Sequence, residues 1–178
     1  KEPVYDAAEA MKEAEEIGYP IMIKASSGGG GKGMRVANGP EEFEHQFNLA
    51  QRESANAFGD DTMYLERFVT NPRHVEIQVM ADNFGNVVAL GERDCSVQRN
   101  HQKLIEESPS PAINEEIREA MNRYAVLAAR TVGYTNAGTI EFILAPNGEF
   151  FFMEMNTRIQ VEHGVTEMVT GTDLIIEQ

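Results

Sequence analysis

The sequence predicts an α+β protein in which antiparallel hairpins alternate with helices. Three observations lead to this prediction. Apolar residues recur at helical spacing in some stretches and alternate with polar residues in others. Turn sequences such as 82–85 and 145–148 join consecutive alternating stretches, as in hairpins. No regular strand–helix–strand repeat runs through the chain, so a doubly wound parallel sheet is excluded.

The N-terminal part predicts a small lobe of helices and short strands. Asp6 is expected to cap a helix that ends at Gly18, because apolar residues follow it at helical spacing. Strands are predicted over 21–25 and directly after the glycine-rich turn that follows. Pro40 begins a second helix, and an apolar stretch over 63–68 ends the lobe.

The rest of the chain is rich in strands. Residues 74–79 alternate apolar and polar side chains, which predicts a half-buried strand, and the turn at 82–85 leads into the next one. A helix is expected over 114–133, with Asn114 as its cap. A second hairpin is predicted over 139–156, and after a polar loop a single helix over 165–178.

Composition excludes several classes of protein. The chain has 29 acidic and 15 basic residues, a net charge of −14, and this argues against nucleic-acid or anionic-membrane binding. No apolar run approaches the roughly 20 residues needed to cross a bilayer. A single cysteine, Cys95, fits a reducing compartment, and we expect a cytoplasmic protein. Cys95 and His45 are expected to be structural.

The glycine-rich turn at 26–33 predicts a phosphate site. It is followed by a strand rather than a helix, and Lys32 is followed by glycine, so neither a dinucleotide fingerprint nor a P-loop fits. A glycine-rich flap lets backbone N–H groups approach phosphates. Lys24, Lys32 and Arg35 are the charged residues of 17–40, which makes this stretch a local anion site. The alternative is a flexible exposed loop.

Two carboxylates on the second hairpin predict a metal site. With four loop residues, Glu141 is expected to oppose Phe152, and Glu154 then lies diagonally across on the same face. Mg²⁺ or Mn²⁺ would relieve the repulsion between these two carboxylates. The alternative is a pair of solvated carboxylates at a sheet edge.

The polar loop 156–163 follows the second of these carboxylates. Arg158 is suited to hold an oxyanion bidentately, Gln160 to orient it, and Glu162 to act as a base. A second basic cluster lies mid-chain. It consists of Arg93, Arg99, His101 and Lys103.

Long ordered motifs along nearly the whole chain closely resemble the biotin carboxylase family, a branch of the ATP-grasp superfamily. Two of them are NPRHVEIQV at 71–79 and EMNTRIQVEH at 154–163. The other matching segments are 22–26, 28–34, Glu66, 92–99, 101–103, 137–139 and 141–142. The resemblance implies an ATP-grasp fold, with a lid at 1–67 and a catalytic lobe at 68–178.

The resemblance also implies site residues. Those implied to hold the nucleotide are Lys24, Gly28, Gly29, Gly30, Gly31, Gly33, Met34, Glu66, Arg67, Val69, His74, Gln98, His101 and Ile143. Those implied to hold Mg²⁺ or Mn²⁺ are Glu141, Glu154 and Asn156. Those implied to bind bicarbonate are Lys103, Arg158, Gln160, Val161 and Glu162. Glu162 would be the general base, and Arg158 and Lys103 would also be catalytic.

The implied activity is carboxylation of biotin on a biotin carboxyl carrier protein, driven by ATP and bicarbonate. We expect the first half-reaction of acetyl-CoA carboxylase in fatty acid biosynthesis, with pyruvate or propionyl-CoA carboxylase as alternatives. Other partners would be a carboxyltransferase component and a second copy in a homodimer. Two further hypotheses are that the protein is another bicarbonate-using ligase, such as carbamoyl phosphate synthetase, or that it is a nucleotide-binding module. We expect a central piece of a longer enzyme, weakly active or inactive alone.

Overall fold

The computed structural model describes residues 3–27, 32–100 and 102–178 of the chain. The chain divides into two compact units, with the boundary between Val69 and Thr70. Within the described residues, each unit combines helices with one antiparallel sheet, which confirms the predicted α+β class. No helix in these ranges is both long and apolar enough to cross a membrane.

The first unit packs two helices against a three-stranded sheet in the order β2-β1-β3. Both neighbours of the central strand run antiparallel to it. Phe43 and Phe47 of the second helix are fully buried against Ile21 and Ile23 of the central strand. The elements are α1 (Ala7–Ile17), β1 (Ile21–Ala25), β2 (Met34–Ala37), α2 (Pro40–Phe58) and β3 (Met63–Arg67).

Local chemistry explains the boundaries of these elements. Asp6 Oδ1 accepts hydrogen bonds from the backbone N–H groups of Ala8 and Glu9, so the predicted cap of α1 is confirmed. Gly33 ends the glycine-rich turn at φ 71°, and a Cβ there would lie 2.7 Å from the Cβ of Ala25. A side chain at this position would therefore push β1 and β2 apart.

The second unit is built on a five-stranded sheet in the order β6-β5-β4-β7-β8. The first hairpin is longer than predicted, since its second strand continues to Arg99. The single C-terminal helix predicted over 165–178 is wrong, because Gly171 adopts φ 71° and ends the first of two helices. The elements are β4 (Arg73–Ala81), β5 (Val87–Arg99), β6 (Gln102–Glu107), α3 (Glu115–Thr131), β7 (Asn136–Leu144), β8 (Phe150–Asn156), α4 (His163–Thr170) and α5 (Leu174–Glu177).

The sheet of the second unit has one apolar and one polar face. Val75 and Ile77 point to the apolar face, where they pack with Met121 of α3. The polar row that alternates with them lies on the other face and is buried as well. Glu76 and Gln78 are both 0 % exposed. A buried polar row must be compensated by partners on the same face, so this face is where chemistry is expected.

The register of the second hairpin also differs from the prediction. The backbone N–H of Ala145 donates to the carbonyl of Glu149, so Leu144 pairs with Phe150 rather than with Glu149. The register then shifts between Glu141 and Phe142, which leaves Met153 as the extra residue on β8. As a result Glu141 lies directly opposite Glu154 instead of diagonal to it. The bulge keeps both carboxylates on one face.

Asn114→Ala is expected to lower the free energy of unfolding by about 1 kcal/mol. Asn114 Oδ1 accepts a hydrogen bond of 2.9 Å from the N–H of Ile117, and alanine would leave that donor without its cap. Urea unfolding followed by circular dichroism measures the change. Asn83→Ala is the control, since Asn83 lies in an exposed turn and caps no helix. An equal change in both variants would contradict the capping role.

Candidate active site

Strand pairing lines up acidic side chains across the polar face of the second unit. Glu76 of β4 pairs with Arg93 of β5 on one side and with Glu141 of β7 on the other. Glu141 in turn pairs with Glu154 of β8. Opposed residues in antiparallel strands point to the same face, so three carboxylates form a row beside one guanidinium.

Lys103 of β6 lies at the centre of this acidic face. Its Nζ donates to Glu76 Oε2 at 2.6 Å, Glu141 Oε1 at 2.8 Å and Glu162 Oε1 at 2.7 Å. All three N–H donors of the ammonium are used. The side chain is 17 % exposed, so solvent screens these ion pairs only partly. The structure therefore brings together the predicted base, the predicted bicarbonate lysine and one predicted metal ligand.

The charges of this group hold one another in the ionised state. Burial alone would lower the pKa of Lys103, but its contacts with Glu141, Glu162 and Glu76 outweigh burial and raise it. Burial would raise the pKa of Glu141, yet contact with His74 and hydrogen bonds from Lys103 and Gln160 lower it. The pKa of Glu162 is lowered in the same way, mainly by Lys103 against the effect of burial. The carboxyl groups of Glu141 and Glu162 are therefore anionic at neutral pH.

The polar loop closes one side of this cluster. Asn156 Nδ2 donates to Glu141 Oε1 at 3.0 Å and lies 3.5 Å from Glu154 Oε1. Gln160 Nε2 also donates to Glu141 Oε1, at 3.1 Å. Arg158 is exposed, and its Nη2 donates to Asn156 Oδ1 at 3.3 Å. The loop thus places one solvent-accessible guanidinium beside the predicted metal ligands.

His74 and Gln98 form the opposite edge of the site. Gln98 Nε2 lies 2.9 Å from His74 Nδ1 and also donates to the carbonyl of Cys95 at 2.8 Å. His74 Nε2 lies 3.0 Å from Glu141 Oε2. Nε2 is therefore the ring nitrogen of His74 that faces the carboxylate. Cys95 is buried, as predicted, and burial followed by the charge of Glu76 raises the pKa of its thiol.

These groups surround a cleft of about 590 Å³ within the second unit. Val161 forms its rim and is 97 % exposed. Ile143 pairs with His74 in the sheet but does not line the cleft. Gln102, Glu106 and Met153 line it without having been predicted. The full lining is His74, Gln98, Gln102, Lys103, Glu106, Glu141, Met153, Glu154, Asn156, Arg158, Gln160, Val161 and Glu162.

The first unit carries the other predicted nucleotide residues. Lys24 Nζ forms an ion pair of 2.6 Å with Glu66 Oε2, and Met34 pairs with Lys24 in the adjacent strand. Arg35, which was predicted to belong to a local anion site, has its Nη2 2.9 Å from Glu53 Oε2 of α2.

The other predicted residues lie near the surface of the first unit or outside the described residues. Lys32 and Arg67 are exposed, and Val69 is half-buried at the end of the unit. Gly28, Gly29, Gly30, Gly31 and His101 lie outside the residues that the structure describes.

The donor chemistry around Glu141 and Glu154 fits a hard divalent cation. Their carboxylate oxygens are ligands that Mg²⁺ and Mn²⁺ prefer. Asn156 turns its Nδ2 to these carboxylates and its Oδ1 to Arg158, so its amide oxygen would become a ligand only after the amide turns over. His74, Glu76 and Glu141 also offer ligand atoms within 4.8 Å of one another. However, Glu76 is fully buried and already holds Arg93 and Lys103, whereas Glu154 is open to the cleft. The Glu141 and Glu154 pair is therefore the better metal site.

Sequence reasoning missed the buried centre of the polar face. Arg93 was assigned to a basic cluster, yet it is 0 % exposed and donates at 2.7 Å to each of Glu76, Gln78 and Thr166. Arg99 of the same predicted cluster is exposed. The sequence pattern contains no signal for this burial, because the burial depends on partners that α4 and the polar loop supply on the same face.

Two antiparallel sheets in separate units, with a lysine–carboxylate site on the polar face of the larger one, fit the ATP-grasp class that the resemblance implies. Across residues 1–178 the chain matches the family described as the carbamoyl-phosphate synthase L chain, ATP binding domain. The chain belongs to this family.

Relatives within the family are biotin-dependent carboxylases by name. The chain is 59 % identical over 170 residues to the biotin carboxylase of Nostoc sp., covering 96 % of this chain and 38 % of that protein. It is 55 % identical over 172 residues to the propionyl-CoA carboxylase alpha chain of Ruegeria pomeroyi, covering 97 % of this chain and 25 % of that one. The chain therefore spans well under half of these relatives.

A solved structure agrees with this assignment. The biotin carboxylase domain dimer of Hydrogenobacter thermophilus 2-oxoglutarate carboxylase, in complex with MgADP, ADP and bicarbonate, superimposes with a TM-score of 0.78 at 49 % identity. The match covers 97 % of this chain and 38 % of that one. The predicted ATP-grasp fold is confirmed.

Proposed function

We propose that the complete enzyme containing this segment carboxylates biotin on a biotin carboxyl carrier protein, using ATP and bicarbonate. The observation that carries the proposal is the contact of Lys103 with Glu162 and Glu141 in one cleft. This arrangement places a cation for an oxyanion, a carboxylate base and a metal-type carboxylate next to one another. Solved relatives that hold MgADP and bicarbonate support it.

Bicarbonate would bind against Lys103, with Arg158 and Gln160 beside it. The ion pair with Lys103 keeps the pKa of Glu162 low, so Glu162 is a weak base while the pair persists. A bicarbonate ion that replaces Glu162 as the partner of the Lys103 ammonium would remove the ion pair between the two side chains. The pKa of Glu162 would then rise. Substrate binding would thus turn Glu162 into a stronger base at the moment when one is needed.

Phosphoryl transfer would follow from this binding mode. Glu162 takes the bicarbonate proton, a bicarbonate oxygen forms a bond to the γ-phosphorus, and the bond between that phosphorus and ADP breaks. Glu141 and Glu154, with Asn156, would hold Mg²⁺, which when bound neutralises charge on the phosphates.

The carboxyphosphate that results breaks down to CO₂ and phosphate next to biotin. The phosphate would accept the ureido proton of biotin, and the ureido nitrogen that loses it would form a bond to the carbon of CO₂, which gives carboxybiotin. Arg158, which is exposed at the cleft, would stabilise the biotin enolate. On the first unit, Lys24, Glu66 and the glycine-rich turn would bind the nucleotide.

We propose acetyl-CoA as the acyl acceptor, and fatty acid biosynthesis in the cytoplasm as the setting. The complete enzyme would be a homodimer that works with a carboxyltransferase component. The relative named biotin carboxylase carries no acceptor in its name, so the choice of acetyl-CoA follows from the sequence resemblance. Similarity to a propionyl-CoA carboxylase chain favours propionyl-CoA as the second candidate. Pyruvate is a third acceptor to compare. Assays of the complete enzyme with each acceptor would separate them.

Glu162→Gln in the complete enzyme is expected to lower bicarbonate-dependent ATP cleavage by about 100-fold or more while ATP binding is retained. Glutamine keeps the size and polarity of the side chain but cannot take the bicarbonate proton. Phosphate release measures turnover, and calorimetric titration with ATP measures binding. Glu119→Gln is the matched control, since Glu119 is exposed on α3.

The wild-type enzyme decides between the proposed reaction and its alternatives. ATP binding without bicarbonate-dependent cleavage would show a nucleotide-binding module instead. Bicarbonate-dependent cleavage that biotin does not stimulate would point to another bicarbonate-using ligase. Normal turnover in Glu162→Gln would overturn the role of Glu162 as base.

A further inference from the structure

Arg93 is a fully buried charge of the second unit. Its side chain is 0 % exposed, and its Nε donates to Glu76 Oε1 at 2.7 Å. Its Nη1 donates at 2.7 Å to both Gln78 Oε1 and Thr166 Oγ1. Its Nη2 lies 3.5 Å from Gln160 Oε1. A guanidinium without solvent is stable only with such a set of partners.

These partners belong to two different parts of the site. Glu76 is shared, because one of its carboxylate oxygens accepts from Arg93 and the other accepts from Lys103. Thr166 lies one helical turn after Glu162, the N-cap residue of α4. Gln160 lies in the loop that leads into this helix. Arg93 thus connects the lysine side of the cleft with the segment that carries Glu162.

The attachment of α4 depends on this connection. Among the described residues of this helix, only Thr166 is buried, and its buried hydroxyl is the acceptor for Arg93. Met168 and Val169 of the same helix are 87 % and 57 % exposed. Apolar packing therefore does little to set the rotation of α4, and the Arg93–Thr166 hydrogen bond does more.

We propose that Arg93 is a positioning residue, which acts through Thr166 and Glu76 to keep Glu162 within reach of Lys103. The inference rests on the proposed function, because it concerns the base of that reaction. Arg93 touches no reacting atom in the proposed reaction. It fixes the helix and the carboxylate between which the reacting groups lie.

The test uses substitutions of Thr166 in the complete enzyme, because loss of Arg93 itself endangers folding. Thr166→Val removes the acceptor and keeps the shape of the side chain, and Thr166→Ser restores a hydroxyl. Thr170→Val is the matched control. Thr170 lies one turn further along α4, where its Oγ1 donates to the carbonyl of Thr166 and does not contact Arg93.

Thr166→Val is expected to lower kcat/KM for bicarbonate about tenfold, in keeping with loss of one hydrogen bond to a charged group. The KM for ATP is expected to stay unchanged and the KM for bicarbonate to rise, whereas a general loss of folded enzyme would lower the apparent kcat and leave both KM values unchanged. Thr166→Ser is expected to recover most of the activity, and Thr170→Val to resemble the wild type.

Amide hydrogen exchange of residues 160–166 gives a readout that does not depend on turnover. We expect faster exchange in Thr166→Val than in Thr170→Val. Wild-type exchange and wild-type kcat/KM in Thr166→Val would overturn the inference. If the wild-type enzyme shows no bicarbonate-dependent ATP cleavage, the proposed function is overturned, and the Arg93–Thr166 contact has no role in that reaction. Amide hydrogen exchange would still show whether Arg93 holds residues 160–166 in place.

Discussion

Arg93→Met is expected to lower the free energy of unfolding by about 3–5 kcal/mol, the range found when one partner of a buried ion pair is removed. Methionine fills much of the same volume but supplies no donor. Glu76 would keep Lys103 as a partner and lose its hydrogen bond from the guanidinium. Gln78 and Thr166 would each lose a 2.7 Å hydrogen bond in a site that water does not reach.

Urea unfolding of the chain, followed by circular dichroism, measures this change. Arg99→Met is the matched control, because Arg99 lies on the same strand with an exposed side chain. Its expected effect is within about 0.5 kcal/mol. A loss below about 1 kcal/mol in Arg93→Met would show that the buried network contributes little net stability.

Lys103→Met is expected to have the second large effect, a fall in bicarbonate-dependent ATP cleavage of about 100-fold to 1000-fold in the complete enzyme. The substitution removes the cation that would hold the oxyanion. It also leaves Glu76, Glu141 and Glu162 without the ammonium that contacts all three. Lys12→Met, on the exposed side of α1, is the control. Turnover within a few-fold of wild type would contradict the assignment of Lys103.

The same variant is expected to change the pH dependence of stability. The pKa values of Glu141 and Glu162 are held below the ordinary 4.5, so these groups stabilise the fold above pH 4.5 and lose this contribution as pH falls through their folded values. The pKa of Lys103 is held above 10.5, so its contribution is present below pH 10.5 and is lost as pH rises through its folded value.

Without Lys103, the pKa values of the two carboxyl groups rise, and acid destabilises the variant at a higher pH than the wild type. The difference in unfolding free energy between wild type and Lys103→Met is therefore expected to be largest at neutral pH and to narrow towards both extremes. Urea unfolding across pH measures it. A difference independent of pH would show that the cluster is not electrostatically coupled.

Much of the fold could be predicted because the determining interactions are local. Asp6 and Asn114 satisfy N–H groups two or three residues away, and Gly18 and Gly59 end their helices with a positive φ. The residues of the polar loop follow directly on β8, so sequence order alone placed Arg158 and Gln160 near Glu154. Alternation along β4 showed which residues share a face.

The rest depends on contacts between distant segments. The extra residue at Met153 sets the register of Glu141 and Glu154, and nothing in the turn sequence shows a bulge. Whether Glu76 is solvated depends on Arg93, 17 residues away, and on Lys103, 27 residues away. The burial of Arg93 depends on α4, whose Thr166 lies 73 residues further along the chain. Local pattern does not report such partners.

Odd-numbered and even-numbered residues of β4 point to opposite faces of the larger sheet, so they are under different constraints. Odd positions of β4, such as Val75 and Ile77, belong to the apolar core, while even positions, such as His74 and Glu76, belong to the polar face. Neighbouring residues of this strand therefore have different requirements. One must have the shape and volume that fit the apolar core, and the next must supply charge and hydrogen bonds. Related sequences can drift at the odd positions among apolar side chains of similar size while the even positions are constrained by chemistry.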